Sequence, residues 1–301
     1  MRNFFHFAFC AATILACSDA PAQDSNASIV GASLIANITA VQPETTFTLG
    51  VLFKVQPGWH IYWENPGTSG LATKVTWAVP EGGSVGETQY PAPIAFTAPG
   101  DIVSYGYEGE VLLMTEARVS AQAKGEVELN AKCRWLMCSD RCIPGKQDVS
   151  LRLPIGKGQP ANEEVFAKYK ALVPKLATAV PKGVEVKRNA SGNKTSVEIL
   201  VAATADAQLV AKDRHPDLHR LFFFPGNQDG VVIDTPQLSA AEASATGAPT
   251  YQKPASIRFT MEPSASNAPA PTRVSGVLVR QVVGSGGKAA APEFVELDLA
   301  Q

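Results

Sequence analysis

Five cysteines punctuate the 301-residue chain, at positions 10, 17, 133, 138 and 142. The first two stand in an apolar N-terminal stretch, and the last three fall within ten residues of one another. In an oxidising compartment three such thiols imply one disulfide and one spare, and strand parity separates them. Val127, Leu129, Ala131, Cys133, Trp135 and Met137 share the apolar face of one extended run, so Cys133 is expected to be a buried, unreactive core residue. Cys138 has the opposite parity at the end of that run, and Ser139-Asp140-Arg141 turns the chain toward Cys142.

A Cys138–Cys142 pair admits two chemistries. As a staple, a loop this short would stabilise a fold by only ~2 kcal/mol, which is little for a domain with a full core. As an exchangeable disulfide at an exposed hairpin end it would do more: a thiolate attacks a partner's disulfide, a mixed disulfide forms, and the second cysteine resolves it. Arg141 would favour a thiolate and Asp140 would oppose it, so the neighbours do not choose between the two readings. The Cys-x-x-x-Cys spacing and the lack of a βαβ pattern exclude a thioredoxin-type motif. A metal site would need His60, Cys138 and Cys142 to converge; no metal or other cofactor is assigned.

The elements that must position these residues read as strands. Charged residues make up only 18% of the chain, Lys+Arg 26 nearly balances Asp+Glu 28, and no basic run is present, so nucleic-acid binding is set aside. The 24 glycines and 22 prolines, with short bursts of Val, Thr and Ala, suit an all-β protein. From Ser28 to about Leu153 apolar residues alternate, as in Phe47, Leu49, Val51 and Phe53, with turns at Gln56-Pro57-Gly58, Asn65-Pro66-Gly67 and Lys124-Gly125. A Gly/Pro linker at Pro154–Pro160 leads to a short helix, capped by Asn162, with apolar positions Val165, Phe166, Tyr169 and Leu172 and ended by Pro174. Alternation returns at Val184, Ser196–Ile199, Ile257–Met261, Val277–Val279 and Phe294–Leu299, a second β domain. On the early strand, Trp59, Ile61 and Trp63 form the core set and leave His60 and Tyr62 facing outward. His215 and His219 stand in a polar stretch and read as loop residues.

The N-terminus reads as a secretory signal. Arg2 precedes an apolar run from Phe4 to Leu15, too short to cross a ~30 Å hydrocarbon core, and Ala20-Pro21-Ala22 offers a cleavage site before Gln23. Ile14-Leu15-Ala16-Cys17 also resembles a bacterial lipobox, in which Cys17 would carry the lipid. Both routes lead to the periplasm.

Four blocks carry a family resemblance: Gly58–Gly67 (GWHIYWENPG), Ser69-Gly70-Leu71, Tyr105–Val111 (YGYEGEV) and Trp135–Pro144 (WLMCSDRCIP). Together they resemble the N-terminal periplasmic domain of the thiol:disulfide interchange protein DsbD, and within that family the copper-sensitivity suppressor ScsB group. The resemblance covers about Ser28–Leu153; Phe222–Pro225 (FFFP) and Gly276–Val279 (GVLV) extend it into the second half. It implies an immunoglobulin-like sandwich that takes electrons from a membrane-embedded donor and passes them to periplasmic thioredoxin-like proteins through Cys138 and Cys142. By the same analogy Cys142 joins the partner, Cys138 resolves, Pro144 holds the matching position after the second cysteine, and His60 stands beside the pair. The family's aromatic cap loop would fall at about Asp101–Tyr107, where Ser104 precedes Tyr105-Gly106, so Tyr105 or Tyr107 must supply the aromatic.

The expected protein is therefore an all-β pair of immunoglobulin-like sandwiches joined by a linker with one short helix. Residues 1–22 form the signal peptide, 23–155 the redox domain, and 156–301 the linker helix and second β domain. Its expected function is periplasmic thiol–disulfide exchange. The alternative is a non-catalytic binding or adaptor module, copper-related in one version, with a structural disulfide.

Overall fold

A computed structural model describes residues 29–299 apart from 101, 178, 202–206, 211–220, 240–249, 252–254, 281 and 285–291. The leader with its cleavage site and Cys17, and His215 and His219, therefore lie outside the described residues. The N-terminal half holds β1 (Val30–Ala36), β2 (Phe47–Val55), β3 (His60–Gly67), β4 (Lys74–Ala78), β5 (Ser84–Val85), β6 (Ile94–Ala98), β7 (Ile102–Glu108), β8 (Glu110–Arg118), β9 (Glu126–Cys138) and β10 (Cys142–Pro154). They make two antiparallel sheets, ordered β1-β2-β8-β5 and β10-β9-β3-β7-β6, with β4 also pairing β9.

The alternation that suggested strands is what holds these sheets together. Phe47, Leu49, Val51 and Phe53 of β2 and Val111 and Leu113 of β8 are buried on one sheet. They meet Val127, Leu129, Ala131, Cys133, Trp135 and Met137 of β9 on the other, and Phe53 meets the Trp135 ring edge-on at 5.6 Å. β9 and β10 form one long hairpin, paired in register from Cys138–Cys142 at its tip to Glu126–Pro154 at its base.

The helix α1 (Glu163–Lys170) packs on this same half through buried Phe166 and Tyr169, and the Tyr169 hydroxyl donates to the Glu110 carbonyl at 2.6 Å. Asn162 precedes it but does not cap it. Its backbone is left-handed at φ 54°, and its side-chain amide donates to the Ala36 carbonyl at 2.8 Å, tying the helix start to β1. A tertiary acceptor has taken the side chain that local pattern assigned to the helix.

The C-terminal half holds β11 (Lys175–Leu176), β12 (Val184–Ser191), β13 (Lys194–Val201), β14 (Ala207–Val210), β15 (Leu221–Pro225), β16 (Val231–Ile233), β17 (Gln237–Ser239), β18 (Thr250–Tyr251), β19 (Ala255–Pro263), β20 (Val274–Arg280), β21 (Val282–Gly284) and β22 (Glu293–Leu299). Its larger sheets run β11-β22-β20-β15 and β12-β13-β19-β16, with β17 also on β19; β18-β14-β21 is a small third. The protein is all-β and immunoglobulin-like, with α1 its one helix among the described residues.

Strand parity in β15 joins the halves. Phe223 faces its own core, stacked on Phe259 at 5.1 Å. Phe222 and Phe224 point the other way, and Phe224 meets Tyr105 at 5.3 Å and Trp63 at 6.2 Å, both edge-on. Asn65 on β3 donates to the Pro225 carbonyl at 2.8 Å. The strands β3 and β7 are thus packed from behind by the C-terminal half.

Candidate functional site

Cys138 and Cys142 are joined by a disulfide across the tip of the β9–β10 hairpin, with Cα atoms 4.2 Å apart. Cys142 is exposed and Cys138 half-buried. Cys138 is also the register partner of His60 on β3, and His60 in turn pairs with Glu108 on β7. One outer row therefore runs Cys142, Cys138, His60, Glu108 across four strands. Pro144, two residues beyond Cys142, is exposed and pairs with Leu136.

The next residue of the same parity on β3 is Tyr62, whose hydroxyl donates to the Cys142 sulfur at 3.8 Å. Burial raises the Tyr62 pKa and a hydrogen bond with Ser104 partly opposes it, so the phenol keeps its proton at neutral pH. Tyr62 lies on the outer face, as its parity requires, but it is only 2% exposed. The loop after β3 covers it, with Gly70 against the ring at φ +114°. That loop is fastened to β7. The Thr68 N–H donates to the Val103 carbonyl at 2.9 Å, the Val103 N–H to the Thr68 hydroxyl at 3.0 Å, and the Ser104 hydroxyl to the Ser69 carbonyl at 3.2 Å.

His60 is sandwiched among rings. Phe96 of β6 stacks on it at 4.2 Å and 15°, and Tyr62 meets it edge-on at 5.1 Å. Its Nε2 is buried without a hydrogen-bond partner among the described residues, and burial lowers its pKa below the usual 6.5. At neutral pH the site therefore presents an uncharged imidazole, a base rather than a fixed cation, opposite Cys138.

The aromatic neighbour expected from Tyr105 or Tyr107 is Phe96 instead. Residues 102–108 are a strand, so its odd members face inward with Ile61 and Trp63. Tyr105 is 3% exposed beside Phe222 and Phe224, and Tyr107 is 6% exposed and donates to the Pro91 carbonyl at 2.7 Å. Phe96 reaches the outer face because it pairs with Ser104, whose parity matches Tyr62. The β6–β7 hairpin, which turns at Pro99-Gly100 and pairs Ala98 with Ile102, brings Phe96 there, and alternation along one strand does not state that pairing. Ser104 enters the site through the same register, and Gly70 through the loop after β3 folding back over Tyr62.

Cys133 is free and 1% exposed, and burial, with the Asp148 carboxylate second, pushes its thiol pKa up to about 12. It takes no part in the outer cluster. Among the described residues no group of three or more His, Cys, Asp or Glu side chains is arranged to hold a metal ion.

Residues 29–154 match the family model described as thiol:disulfide interchange protein DsbD, N-terminal. Over these residues the chain is similar to the DsbD N-terminal family. The crystal structure of the N-terminal periplasmic domain of ScsB from Proteus mirabilis shares the fold beyond that segment, with a TM-score of 0.56, 20% identity, and coverage of 89% of this chain and 93% of that one. In fold the chain is ScsB-like through both halves. The collagen adhesin CNA from S. aureus (TM-score 0.16, 7% identity, 89% of this chain and 93% of that one) is too dissimilar to carry any argument. The same holds for the collagen-binding domain of RspB from Erysipelothrix rhusiopathiae (TM-score 0.19, 8% identity, 90% and 92%). No curated protein matches the sequence. No described helix is long and apolar enough to cross a membrane.

Proposed function

We propose that the protein relays reducing equivalents in the periplasm, from a membrane-embedded donor to thioredoxin-like proteins, through Cys138 and Cys142. The observation that carries this reading is the disulfide at an exposed hairpin tip, its outer sulfur held against a buried tyrosine hydroxyl, within a segment similar to the DsbD N-terminal family. Residues 23–155 carry the exchange chemistry in this reading, and 156–301 form a second immunoglobulin-like unit behind it.

In the reduced protein the Cys142 thiolate attacks one sulfur of the partner's disulfide, and the partner's other sulfur leaves as a thiolate and takes up a proton. Cys138 then loses its proton, with neutral His60 across the register as the nearby base, and attacks the Cys142 sulfur. The partner leaves as a dithiol and the Cys138–Cys142 bond re-forms, two electrons having passed. The donor runs the same steps in reverse. The exposure of Cys142 and the half-burial of Cys138 support these roles, because only a sulfur open to solvent can meet a second protein.

Cysteine trapping tests the reading. Cys138→Ala should accumulate mixed disulfides with thioredoxin-like partners on non-reducing gels, and Cys142→Ala should form none. Equal absence of adducts defeats the relay, and adducts only in Cys142→Ala reverse the roles. A reduction potential between about -180 and -270 mV suits exchange, whereas one below about -300 mV belongs to a staple.

A further inference from the structure

The outer face beside the disulfide carries a row of like charges. Register places Lys74 of β4 opposite Arg134 of β9, and Arg134 opposite Lys146 of β10, so three exposed cations stand side by side across three adjacent strands. None of the three makes an ion pair or a side-chain hydrogen bond among the described residues. Lys132 adds a fourth cation in the next row, where Asp148 opposite it is the nearest acid on this face. Like charges directly opposite one another destabilise a sheet. The far end of the same hairpin is built the other way, with Arg152 opposite Glu128 and paired to it at 3.4 Å. The unbalanced charge is thus confined to the disulfide end.

Two further features fit a docking surface there. A groove of about 490 Å³ is lined by all three cations together with Leu71, Trp135, Pro144 and Gly145, and Leu71 has 66% of its surface exposed. Arg134 is four residues along β9 from Cys138, about 13 Å at ~3.3 Å per residue. A partner burying about 800 Å² on this side would cover a patch roughly 16 Å in radius, so one seated on the disulfide must also sit on the cations.

We propose that Lys74, Arg134 and Lys146 form the docking surface for a carboxylate-rich face of the thioredoxin-like protein that exchanges with Cys138–Cys142. This rests on the exchange reading above. The row steers the partner electrostatically and sets which sulfur it meets, while the groove takes an apolar side chain from it.

The test compares the reduced full chain with its Lys74→Gln/Arg134→Gln/Lys146→Gln variant, using two disulfide-bonded peptides that differ only in carrying glutamates or glutamines around the bond. At about 20 mM salt the parent should exchange about tenfold faster with the glutamate peptide, and at about 0.5 M salt this advantage should shrink below about twofold. The variant should show no preference, with its glutamine-peptide rate unchanged. Thermal melting of the variant no lower than that of the parent shows that the fold is kept. Equal rates for both peptides in the parent, or a preference that survives the triple substitution, overturn the docking surface. Should neither peptide exchange at all, a dye-labelled, cysteine-free glutamate peptide separates the two ideas by fluorescence anisotropy. Binding to the parent but not to the variant upholds the docking surface and defeats the relay; no binding to the parent overturns the docking surface.

Discussion

Replacing Gly70 by alanine tests whether the loop after β3 sets the position of the Tyr62 hydroxyl. Two costs add. Gly70 has φ +114°, a region that costs an L residue about 1–2 kcal/mol. A methyl group there would also run into the Tyr62 ring, which is buried between the loop and β3 and has no free space to retreat into. Overpacking of this kind costs about 1–3 kcal/mol. The sum is about 3 kcal/mol, or a melting temperature lowered by about 6–12 °C. Gly125→Ala supplies the control, because Gly125 has a similar positive φ of +70° but open space where the methyl would go. It should cost only about 1 kcal/mol. Displacing the ring also pulls the hydroxyl away from Cys142, so Gly70→Ala should slow exchange with a small disulfide about fivefold, the effect of one lost hydrogen bond of about 1 kcal/mol. Tyr62→Phe should slow exchange equally with far less loss of stability. Calorimetry and stopped-flow exchange on the three variants decide the matter. If Gly70→Ala melts with Gly125→Ala and exchanges like the parent, the loop does not hold Tyr62 against the sulfur.

Cys133→Ala should leave exchange unchanged and cost about 1 kcal/mol for the lost buried sulfur; in the native protein Cys133 should resist iodoacetamide at pH 8 until denaturant is added, and rapid labelling would contradict its burial. Burial holds the His60 imidazole below 6.5, so the unfolded chain binds a proton that the folded chain refuses. Stability should therefore be full above pH 6.5 and fall as pH drops below it, and His60→Gln should flatten that fall in urea titrations; an unchanged slope would mean that His60 protonates freely in the fold. Phe224→Ala removes a fully buried ring set between Trp63 and Tyr105 and should cost about 3–5 kcal/mol. A loss under about 1 kcal/mol would show that the C-terminal half does not support β3 and β7.

Much of this protein was legible in the sequence alone. Period-two alternation placed β2, β9, β13, β19 and β20, because a strand half-buried in a sandwich must alternate whatever its partners are. The same parity put Cys133 in the core and left Cys138 and Cys142 to pair, and it set His60 and Tyr62 on the face away from Ile61 and Trp63. Those are statements about one strand at a time. What the sequence could not state is which strands lie side by side. The place of Phe96 over His60, the covering of Tyr62 by Gly70, the diversion of Asn162 to the Ala36 carbonyl, and the row of Lys74, Arg134 and Lys146 each depend on contacts between residues 8 to 126 apart in the chain, set by strand register or by a loop folding back over a strand. Alternation tells each residue which side of its own strand it faces; only the pairing of strands, set by the packing of the whole core, decides what it meets there.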